Sequence, residues 1–236
     1  MTTFPTESPC SSPLERGILV VFEGIAGAGK STQVRRLTQG LRSLGIPLRV
    51  DREPTDGPYG RRLRESATAG RLSAKEELEL FILDRKEHVD GFIEPGLAAG
   101  ELVVLDRYYF SNAAYQGSRG LDWREILRRN EAFAPAPDLL LWLDLPTEDS
   151  SDRIRARGEG ATEFEQRSLL ERCGQIYACM EHPARRRIDA RQPVEMVAQN
   201  CLAEVQAVLV ERVLSQAGLT AAERMVWVRR WGAVPC

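Results

Sequence analysis

The sequence predicts an α/β fold, with a doubly wound parallel sheet flanked by helices. Short apolar runs alternate with helical patterns, and neither a repeat nor a linker divides the 236 residues into independent domains. A glycine-rich turn lies directly between the first apolar run and the first helical pattern. The hydrophobic share of 43% and the charged share of 28% are typical of a globular chain with a sizeable core.

The first predicted strand is 17–23 (GILVVFE), a continuous apolar run typical of a strand buried on both faces of a parallel sheet. After a turn at 24–29, a helix is predicted from Lys30, and Gly45 with Pro47 ends it. One stripe of this helix is apolar: Val34, Leu37, Leu41 and Leu44.

A weaker second strand is predicted at 48–50, followed by a loop at 54–60 because of its proline and glycine content. A long helix is then predicted over about 73–91. Ser73 and Glu76 have the S-x-x-E spacing of a capping box, which marks the start of this helix.

Three further strands are predicted at 101–106, 138–144 and 187–189. Between the last two, a highly charged helical segment over about 148–180 is interrupted at 158–162. A final helix carries apolar residues on one face: Val194, Val197, Cys201, Val205 and Val208.

The two ends of the chain lie outside this pattern, so the domain proper is expected to span 17–215. Residues 1–16 contain prolines, serines and threonines without an apolar segment, and are predicted to be a disordered leader. The C-terminal extension 216–236 lies beyond the last predictable element. Its tryptophans, Trp227 and Trp231 among them, are expected to pack on the body of the domain or on a partner subunit.

The charge balance limits the possible partners. Lys and Arg total 32 and Asp and Glu total 34, and this slight acidic excess argues against a general binder of nucleic acid or of membrane surfaces. No apolar run approaches the roughly 20 residues of a membrane span. The five cysteines form no CxxC pair and are expected to be reduced thiols, which indicates a cytoplasmic protein.

Arginine dominates the cations, since all but three of the 32 are arginine. Codon bias in a GC-rich genome is one explanation. A need for the planar guanidinium, which grips phosphate through two parallel hydrogen bonds, is the other.

Residues 24–31 (GIAGAGKS) fit the phosphate-loop pattern G-x-x-x-x-G-K-[ST]. Its glycines let backbone N–H groups turn inward around an anion, and the next helix offers its positive N-terminus. Lys30 is then a catalytic residue at the β- and γ-phosphates, and Ser31 ligates Mg²⁺. The predicted phosphate-binding residues are Gly24, Ile25, Ala26, Gly27, Ala28, Gly29, Lys30, Ser31 and Thr32.

Asp106 ends an apolar strand, the position of a carboxylate that orients Mg²⁺ in such proteins. An ordinary ion pair between Asp106 and Arg107 is the alternative. ATPases, GTPases and small-molecule kinases all share this phosphate loop, so the residues that bind the acceptor must decide among them.

Six segments resemble, in order, those of thymidylate kinases: FEGIAGAGKSTQ at 22–33, REP at 52–54, LFILDR at 80–85, DRYYFSNAAYQ at 106–116, PDLLLWLD at 137–144 and IDARQP at 188–193. The resemblance covers about residues 17–212 and implies a P-loop nucleoside monophosphate kinase fold with a lid over about 150–165. It also implies phosphoryl transfer from ATP to dTMP, giving dTDP and ADP with Mg²⁺. The resemblance further implies a homodimer that binds small nucleotides and that binds neither nucleic acid nor a membrane.

The resemblance extends to the acceptor site. Arg52 and Arg107 follow predicted strand ends, and their guanidinium groups are expected to clamp the monophosphate; Arg107 is also a candidate catalytic residue.

Four further residues match family positions around the nucleoside. Phe81 is expected to stack on the thymine ring, and Arg85 to hydrogen-bond the base edge. Asn112 matches a position at the amide edge of the base, and Tyr115 one that crowds the sugar against a 2′-hydroxyl. Taken singly, Phe81 and Tyr115 are also explained as core residues, but the joint spacing favours the binding roles.

Arg153, Arg155 and Arg157 resemble the lid arginines of bacterial thymidylate kinases, which reach the ATP phosphates when the lid closes. Arg157, beside a glycine, is the first choice for the catalytic one, with Arg153 and Arg155 as ATP-binding residues. A closed lid would exclude water and limit ATP hydrolysis. A solvated basic helix face is the alternative.

Two positions depart from the family pattern. Ala26 replaces an acidic residue that resembles the acceptor for the sugar 3′-hydroxyl, and Glu163 replaces a lid arginine. Loss of a hydrogen bond to a charged group, about 1.5–3 kcal/mol, would cost about ten- to a hundredfold in affinity or rate. Two alternatives therefore remain: a diverged kinase of another, possibly modified, pyrimidine nucleoside monophosphate, and a nucleotide-binding paralogue with weak activity.

Overall fold

A computed structural model describes residues 12–156 and 163–232. In these residues five parallel strands form one sheet in the order β2-β3-β1-β4-β5. The strands are β1 Ile18–Glu23, β2 Leu48–Arg52, β3 Leu102–Asp106, β4 Leu139–Asp144 and β5 Arg185–Asp189. All five predicted strands are confirmed, and β2 and β5 extend beyond their predicted ranges of 48–50 and 187–189.

Helices connect the strands and cover both faces of the sheet. Those before β4 are α1 Lys30–Ser43, α2 Pro58–Ala69, α3 Ala74–His88, α4 Glu94–Ala98, α5 Tyr109–Ser118 and α6 Trp123–Glu131. Those after β4 are α7 Thr147–Ala156, α8 Glu163–Cys179, α9 Val194–Ser215 and α10 Ala221–Gly232. A π-helical turn, Val89–Ile93, joins α3 to α4.

The apolar residues of β1 divide between two cores because successive side chains of a strand point to opposite faces. Ile18, Val20 and Phe22 pack with α1 and α9. Leu19 and Val21 pack with α3, α5 and α8 on the other face. Burial on both faces explains why β1 is apolar almost throughout.

The predicted loop at 54–60 is partly wrong, because α2 begins inside it at Pro58. Proline fits the first turn of a helix, where its missing N–H has no partner to lose, and Gly57 precedes it as the N-cap. The capping box of α3 is confirmed: Ser73 Oγ accepts a hydrogen bond from Glu76 N at 3.3 Å, and Glu76 Oε2 accepts one from Ser73 N at 3.0 Å.

The C-terminal tail contains a helix that the sequence pattern did not reveal. Trp231 of α10 is 1% exposed within the core beside α9, and Gln206 donates to its carbonyl oxygen at 2.9 Å. Arg230 Nε donates to Leu44 O at 3.1 Å, just beyond the end of α1. Of the two alternatives for the tail, packing on the body of the domain is therefore the one observed for Trp231.

Several sequence predictions fall outside the described residues, namely the leader up to residue 11, the helix interruption at 158–162, and the last four residues. Cys173, Cys179 and Cys201 are free thiols, as expected for these three. Across the described ranges, no helix combines the length and the hydropathy needed to cross a membrane.

Candidate functional site

The loops that follow β1, β2 and β3 meet at one edge of the sheet because all strands are parallel. Asp106 at the end of β3 lies in register with Phe22 of β1 and with Arg52 of β2. Ligands of open α/β sheets bind outside the carboxyl ends of the strands, so this edge is the expected place for a site.

The glycine-rich turn after β1 forms an anion-binding loop. Gly24, Gly27 and Gly29 have φ values of 144°, 77° and 94°, a backbone conformation that residues with a Cβ atom rarely adopt. α1 begins directly at Lys30, so the positive N-terminal end of this helix adjoins the loop. Lys30 Nζ donates to Gly24 O and to Ile25 O, each at 2.8 Å, and its ammonium group therefore lies within the loop.

Ser31 and Asp106 are brought together beside this loop. Ser31 Oγ donates a hydrogen bond to Asp106 Oδ2. The other carboxylate oxygen, Oδ1, is buried and has no hydrogen-bond partner among the described residues. This is a hydroxyl next to a carboxylate with a free oxygen, a donor set that suits a hard cation.

Arg52 lies near this pair and not in the wall of the cavity that the other predicted substrate residues share. It lines an open cavity of about 330 Å³ together with Ser31 and Asp106. Its exposed guanidinium donates to Asp56 Oδ1 at 3.1 Å.

The remaining predicted substrate residues surround a second cavity of about 280 Å³. Those in its wall are Phe81, Arg85, Arg107, Asn112 and Tyr115, and Ala26 of the glycine-rich loop joins them. Glu53, Tyr108, Ser111 and Gln116 also line it and were not predicted as site residues. The cavity thus connects the phosphate loop with α3 and α5, which carry the expected base contacts.

Arg107, in the wall of this cavity, is held in an unusual backbone conformation. Its φ is 75°, in the left-handed region where a non-glycine residue is strained. Nη1 donates to Ser111 Oγ at 3.1 Å, and the guanidinium lies 5.3 Å from the centroid of the Tyr115 ring. Burial opposes the charge of this group, but nearby acidic groups outweigh that effect and raise the pKa of Arg107. These groups are those of Tyr115, Tyr177, Glu23 and Asp106.

Glu23 organises the start of α5, a role that sequence reasoning missed. It is 1% exposed, and Oε1 accepts from the backbone N–H groups of Tyr108 at 2.8 Å and Ser111 at 3.0 Å. Oε2 accepts from Ser111 Oγ at 2.6 Å and from Tyr177 Oη at 2.7 Å. Burial raises the pKa of Glu23, although these hydrogen bonds and Arg107 act in the opposite direction. The signal in the sequence is an acidic residue at the end of an otherwise apolar strand.

Arg85 lies in the cavity wall with part of its guanidinium already occupied. Nε and Nη2 donate to Glu53 Oε2 at 2.9 and 2.6 Å, and Nη1 donates to Asn130 Oδ1. The side chain is 1% exposed. Glu53 and Asn130 therefore fix the orientation of a group that was predicted to contact the base.

His88 extends this ion-paired cluster to β2. Its Nδ1 lies 3.1 Å from Glu53 Oε1, and its Nε2 lies 3.4 Å from Asp51 Oδ2. Burial lowers the pKa of His88, but the two carboxylates raise it to a net value of about 9. The imidazole is therefore charged at neutral pH, with a negative group on each side.

The two predicted lid arginines that the structure describes, Arg153 and Arg155, occupy different places. Arg153 contacts the phosphate loop: Nη1 donates to Gly27 O at 3.4 Å, and Nη2 donates to Ala190 O at 2.9 Å. Arg155 is exposed and pairs with Asp152 at 3.2 Å. Arg157 and the side chain of Glu163 lie outside the described part of the chain.

Comparisons with known proteins agree on one family. A family profile described as thymidylate kinase matches residues 22–201. The thymidylate kinase of Xanthomonas euvesicatoria pv. vesicatoria is 48% identical over 201 residues, which are 85% of this chain and 88% of that protein. That of Xanthomonas oryzae pv. oryzae is 49% identical over 197 residues, covering 84% and 86% of the two chains. That of Desulfotalea psychrophila is 45% identical over 195 residues, covering 82% and 96%.

Proposed function

Since this chain belongs to the thymidylate kinase family, we propose that it transfers the γ-phosphoryl group of ATP to dTMP, forming dTDP and ADP. The observation that carries this proposal is the cavity of about 280 Å³ in which the phosphate loop meets the predicted nucleoside-binding residues. An acceptor in this cavity would lie beside Ala26 and Arg107, next to the loop that binds the donor phosphates.

On the donor side, we assign the ATP phosphates to residues 24–32. Phosphoryl transfer depends mainly on positioning and on stabilising the charge that spreads over the transferring group. The N–H groups of the loop and of the α1 N-terminus supply fixed positive dipoles for this purpose. The Lys30 ammonium would exchange its contacts with Gly24 O and Ile25 O for phosphate oxygens.

Ser31 and Asp106 fit the Mg²⁺ that accompanies ATP. Their adjacent oxygens, with Asp106 Oδ1 still free, match the preference of Mg²⁺ for a few carboxylate or hydroxyl ligands. Mg²⁺ bound in this way would take its remaining ligands from phosphate oxygens and water. Mg²⁺ supplies charge neutralisation at the β- and γ-phosphates when it is bound.

On the acceptor side, Arg107 is the residue best placed to grip the monophosphate. Its side chain lines the cavity, its guanidinium is held by Ser111, and its retained charge suits a dianionic ligand. Arg52 lines the cavity of Ser31 and Asp106, and would swing from Asp56 to contribute a second guanidinium.

The nucleoside would occupy the rest of the cavity. Phe81 is half-buried on α3, in position to stack on the base, with Arg85 and Asn112 at the base edge. The Tyr115 ring, fixed against the Arg107 guanidinium, would crowd the sugar and disfavour a 2′-hydroxyl.

We assign residues of about 150–165 to a lid. The contact of Arg153 with Gly27 O shows that a cation from α7 reaches the phosphate loop. Arg155 and Arg157 would approach ATP on closure, with Arg157 as the catalytic cation. Closure would exclude water from the transferring group.

We further propose a cytoplasmic homodimer whose kinase domain spans 17–215, between the leader and the C-terminal extension. It acts on small nucleotides and binds neither nucleic acid nor membranes. Size-exclusion chromatography with light scattering tests the dimer, for which a mass of twice 26.4 kDa is expected.

A second candidate function follows from one observation. Ala26 lines the cavity where the family pattern has a carboxylate, so a site that discriminates less at the sugar 3′ position, or accepts another pyrimidine monophosphate, is the alternative.

A monophosphate panel tests the proposal. The purified protein with Mg-ATP is offered dTMP, dUMP, UMP and CMP, and both ADP and the phosphorylated acceptor are quantified. We expect dTMP to be phosphorylated fastest. Equal rates across the panel would favour the second candidate, and ADP without a phosphorylated acceptor would indicate an ATPase.

A further inference from the structure

A row of three buried polar side chains runs from the first turn of α3 to the base-binding cavity. It consists of Glu77, Gln116 and Asn112, which are exposed by 6%, 2% and 2%. Gln116 and Asn112 line the cavity, whereas Glu77 does not. We name these three residues the amide relay.

Glu77 anchors the outer end of the relay as a hydrogen-bond acceptor. Its carboxylate pairs with Arg71 Nε at 3.1 Å and with Arg119 Nη1. It also lies in the first turn of α3, where the helix dipole favours negative charge. A carboxylate held by two guanidinium groups accepts hydrogen bonds and has none to donate.

This acceptor determines how both amides are oriented. Gln116 Nε2 donates to Glu77 Oε2 at 3.0 Å, so Gln116 must turn its NH₂ group towards Glu77 and its oxygen away. That oxygen, Oε1, accepts from Asn112 Nδ2 at 2.8 Å. Reversing either amide would place two acceptors, or two donors, in contact.

The inner end of the relay is an oxygen without a partner. Asn112 Oδ1 is buried and accepts no hydrogen bond from the described residues. A buried polar atom in this state is costly, unless a ligand in the cavity supplies the missing donor. The relay therefore presents an acceptor, and not a donor, at the position expected to face the edge of the base.

We propose that Glu77 is a positioning residue for substrate specificity: through Gln116 it holds Asn112 with its carbonyl oxygen towards the base. This inference rests on the proposed function. Thymine and uracil carry an N–H group at N3, from which the Asn112 carbonyl oxygen would accept a hydrogen bond. Cytosine has an acceptor at N3, so a cytosine base would set two acceptors against each other.

The variant Glu77→Gln tests the direction of the relay. A glutamine at 77 is held less strongly by Arg119, which donates to the same oxygen as Gln116. When Arg119 turns away, the glutamine can place its NH₂ group there, and Gln116 and Asn112 can both reverse and present a donor to the base. The readout is the ratio of the dissociation constants of dCMP and dTMP, measured by calorimetry on the full chain. We expect this ratio to fall about tenfold, the value of one hydrogen bond gained by one base and lost by the other.

A second substitution should restore the ratio. In Glu77→Gln/Gln116→Glu, the carboxylate stands one link closer to the cavity and accepts from both neighbours, so Asn112 must again turn its NH₂ group away from the base. Glu79→Gln is the matched control, because Glu79 lies on the same helix in an exposed pair with Arg129. Its ratio should equal that of the unmodified protein.

The outcomes separate this inference from the proposed function. Failure of the unmodified protein to prefer dTMP over dCMP would refute the proposed function. A normal preference that Glu77→Gln leaves unchanged, or that the double variant does not restore, would overturn the relay alone. If Glu77→Gln does not fold, Gln116→Met removes the central amide and frees Asn112; an unchanged ratio in that variant would overturn the relay equally.

Discussion

Removal of the Glu23 carboxylate is expected to release the start of α5 and, with it, Arg107. In Glu23→Ala, the buried N–H group of Tyr108 loses its acceptor, whereas that of Ser111 keeps a second acceptor, Tyr108 O at 3.1 Å. The two hydroxyl groups also keep a partner, because Ser111 Oγ and Tyr177 Oη lie 2.9 Å apart and can hydrogen-bond each other. The cost therefore comes mainly from the Tyr108 N–H group.

The magnitude follows from this one group. A buried donor without a partner costs about 1–3 kcal/mol, so Glu23→Ala should lower the free energy of unfolding by about that amount. A typical domain has about 5–15 kcal/mol in all. Glu23→Gln keeps an oxygen for both N–H groups, and its NH₂ group can donate to hydroxyls that rotate to accept. We expect this variant to lose less than about 1 kcal/mol.

Urea denaturation followed by far-UV circular dichroism distinguishes the two variants. With an m-value of about 2 kcal/mol/M, Glu23→Ala should shift the midpoint down by about 0.5–1.5 M. Glu94→Ala, which removes an exposed partner of Arg16, serves as the control and should barely move it. Equal midpoints for Glu23→Ala and Glu23→Gln would refute the assigned role of the carboxylate.

The pH dependence gives a second readout from the same site. Burial raises the pKa of Glu23 in the folded protein, so the folded state favours its protonated form. Glu23 therefore favours folding at pH below its unfolded pKa, and this contribution is lost as the pH rises through the folded value. The free energy of unfolding of the unmodified protein, relative to that of Glu23→Gln, should therefore be highest at low pH and should fall as the pH rises through the folded pKa of Glu23. A constant difference would contradict the raised pKa.

Three further predictions concern the site. Ala26→Asp should raise kcat/KM for dTMP by about ten- to a hundredfold if position 26 faces the 3′-hydroxyl, and unchanged kinetics would show that it does not. His88→Gln should remove a stabilisation that is present in full below about pH 6.5 and is lost as the pH rises through about 9. The urea midpoints of the two proteins should therefore differ more at pH 6 than at pH 10. An equal difference at both pH values would contradict a charged imidazole. Asp106→Asn should raise the Mg²⁺ concentration that gives half the maximal rate by about tenfold or more. An unchanged Mg²⁺ titration would show that Asp106 is not a ligand of the cation.

Local patterns were predictable because their physics lies within a few residues. The phosphate loop, the capping box of Ser73 and the apolar strands each depend on near neighbours or on burial. Two of the helices that the sequence pattern did not predict were hidden for local reasons as well. α2 starts in a segment whose proline and glycines also suit a loop, and α10 is exposed on much of its surface, so its apolar pattern is weak.

The support of the site was not predictable, because it depends on contacts distant in sequence. Glu23 meets Tyr108 and Ser111 only after β1 and β3 pair in the sheet. Glu53 and Arg85 come together through the packing of the loop after β2 against α3. A lone acidic residue in a sequence carries no sign of such partners, whereas the motif residues identified their own chemistry.

Product stoichiometry determines most directly whether the phosphoryl group that leaves ATP arrives on dTMP. The purified full-length protein is incubated with ATP, Mg²⁺ and dTMP, and the nucleotides are separated by ion-exchange chromatography at successive times. We expect equal amounts of ADP and dTDP at every time, with little ADP when dTMP is omitted. ADP formed without an equal amount of dTDP would contradict this transfer.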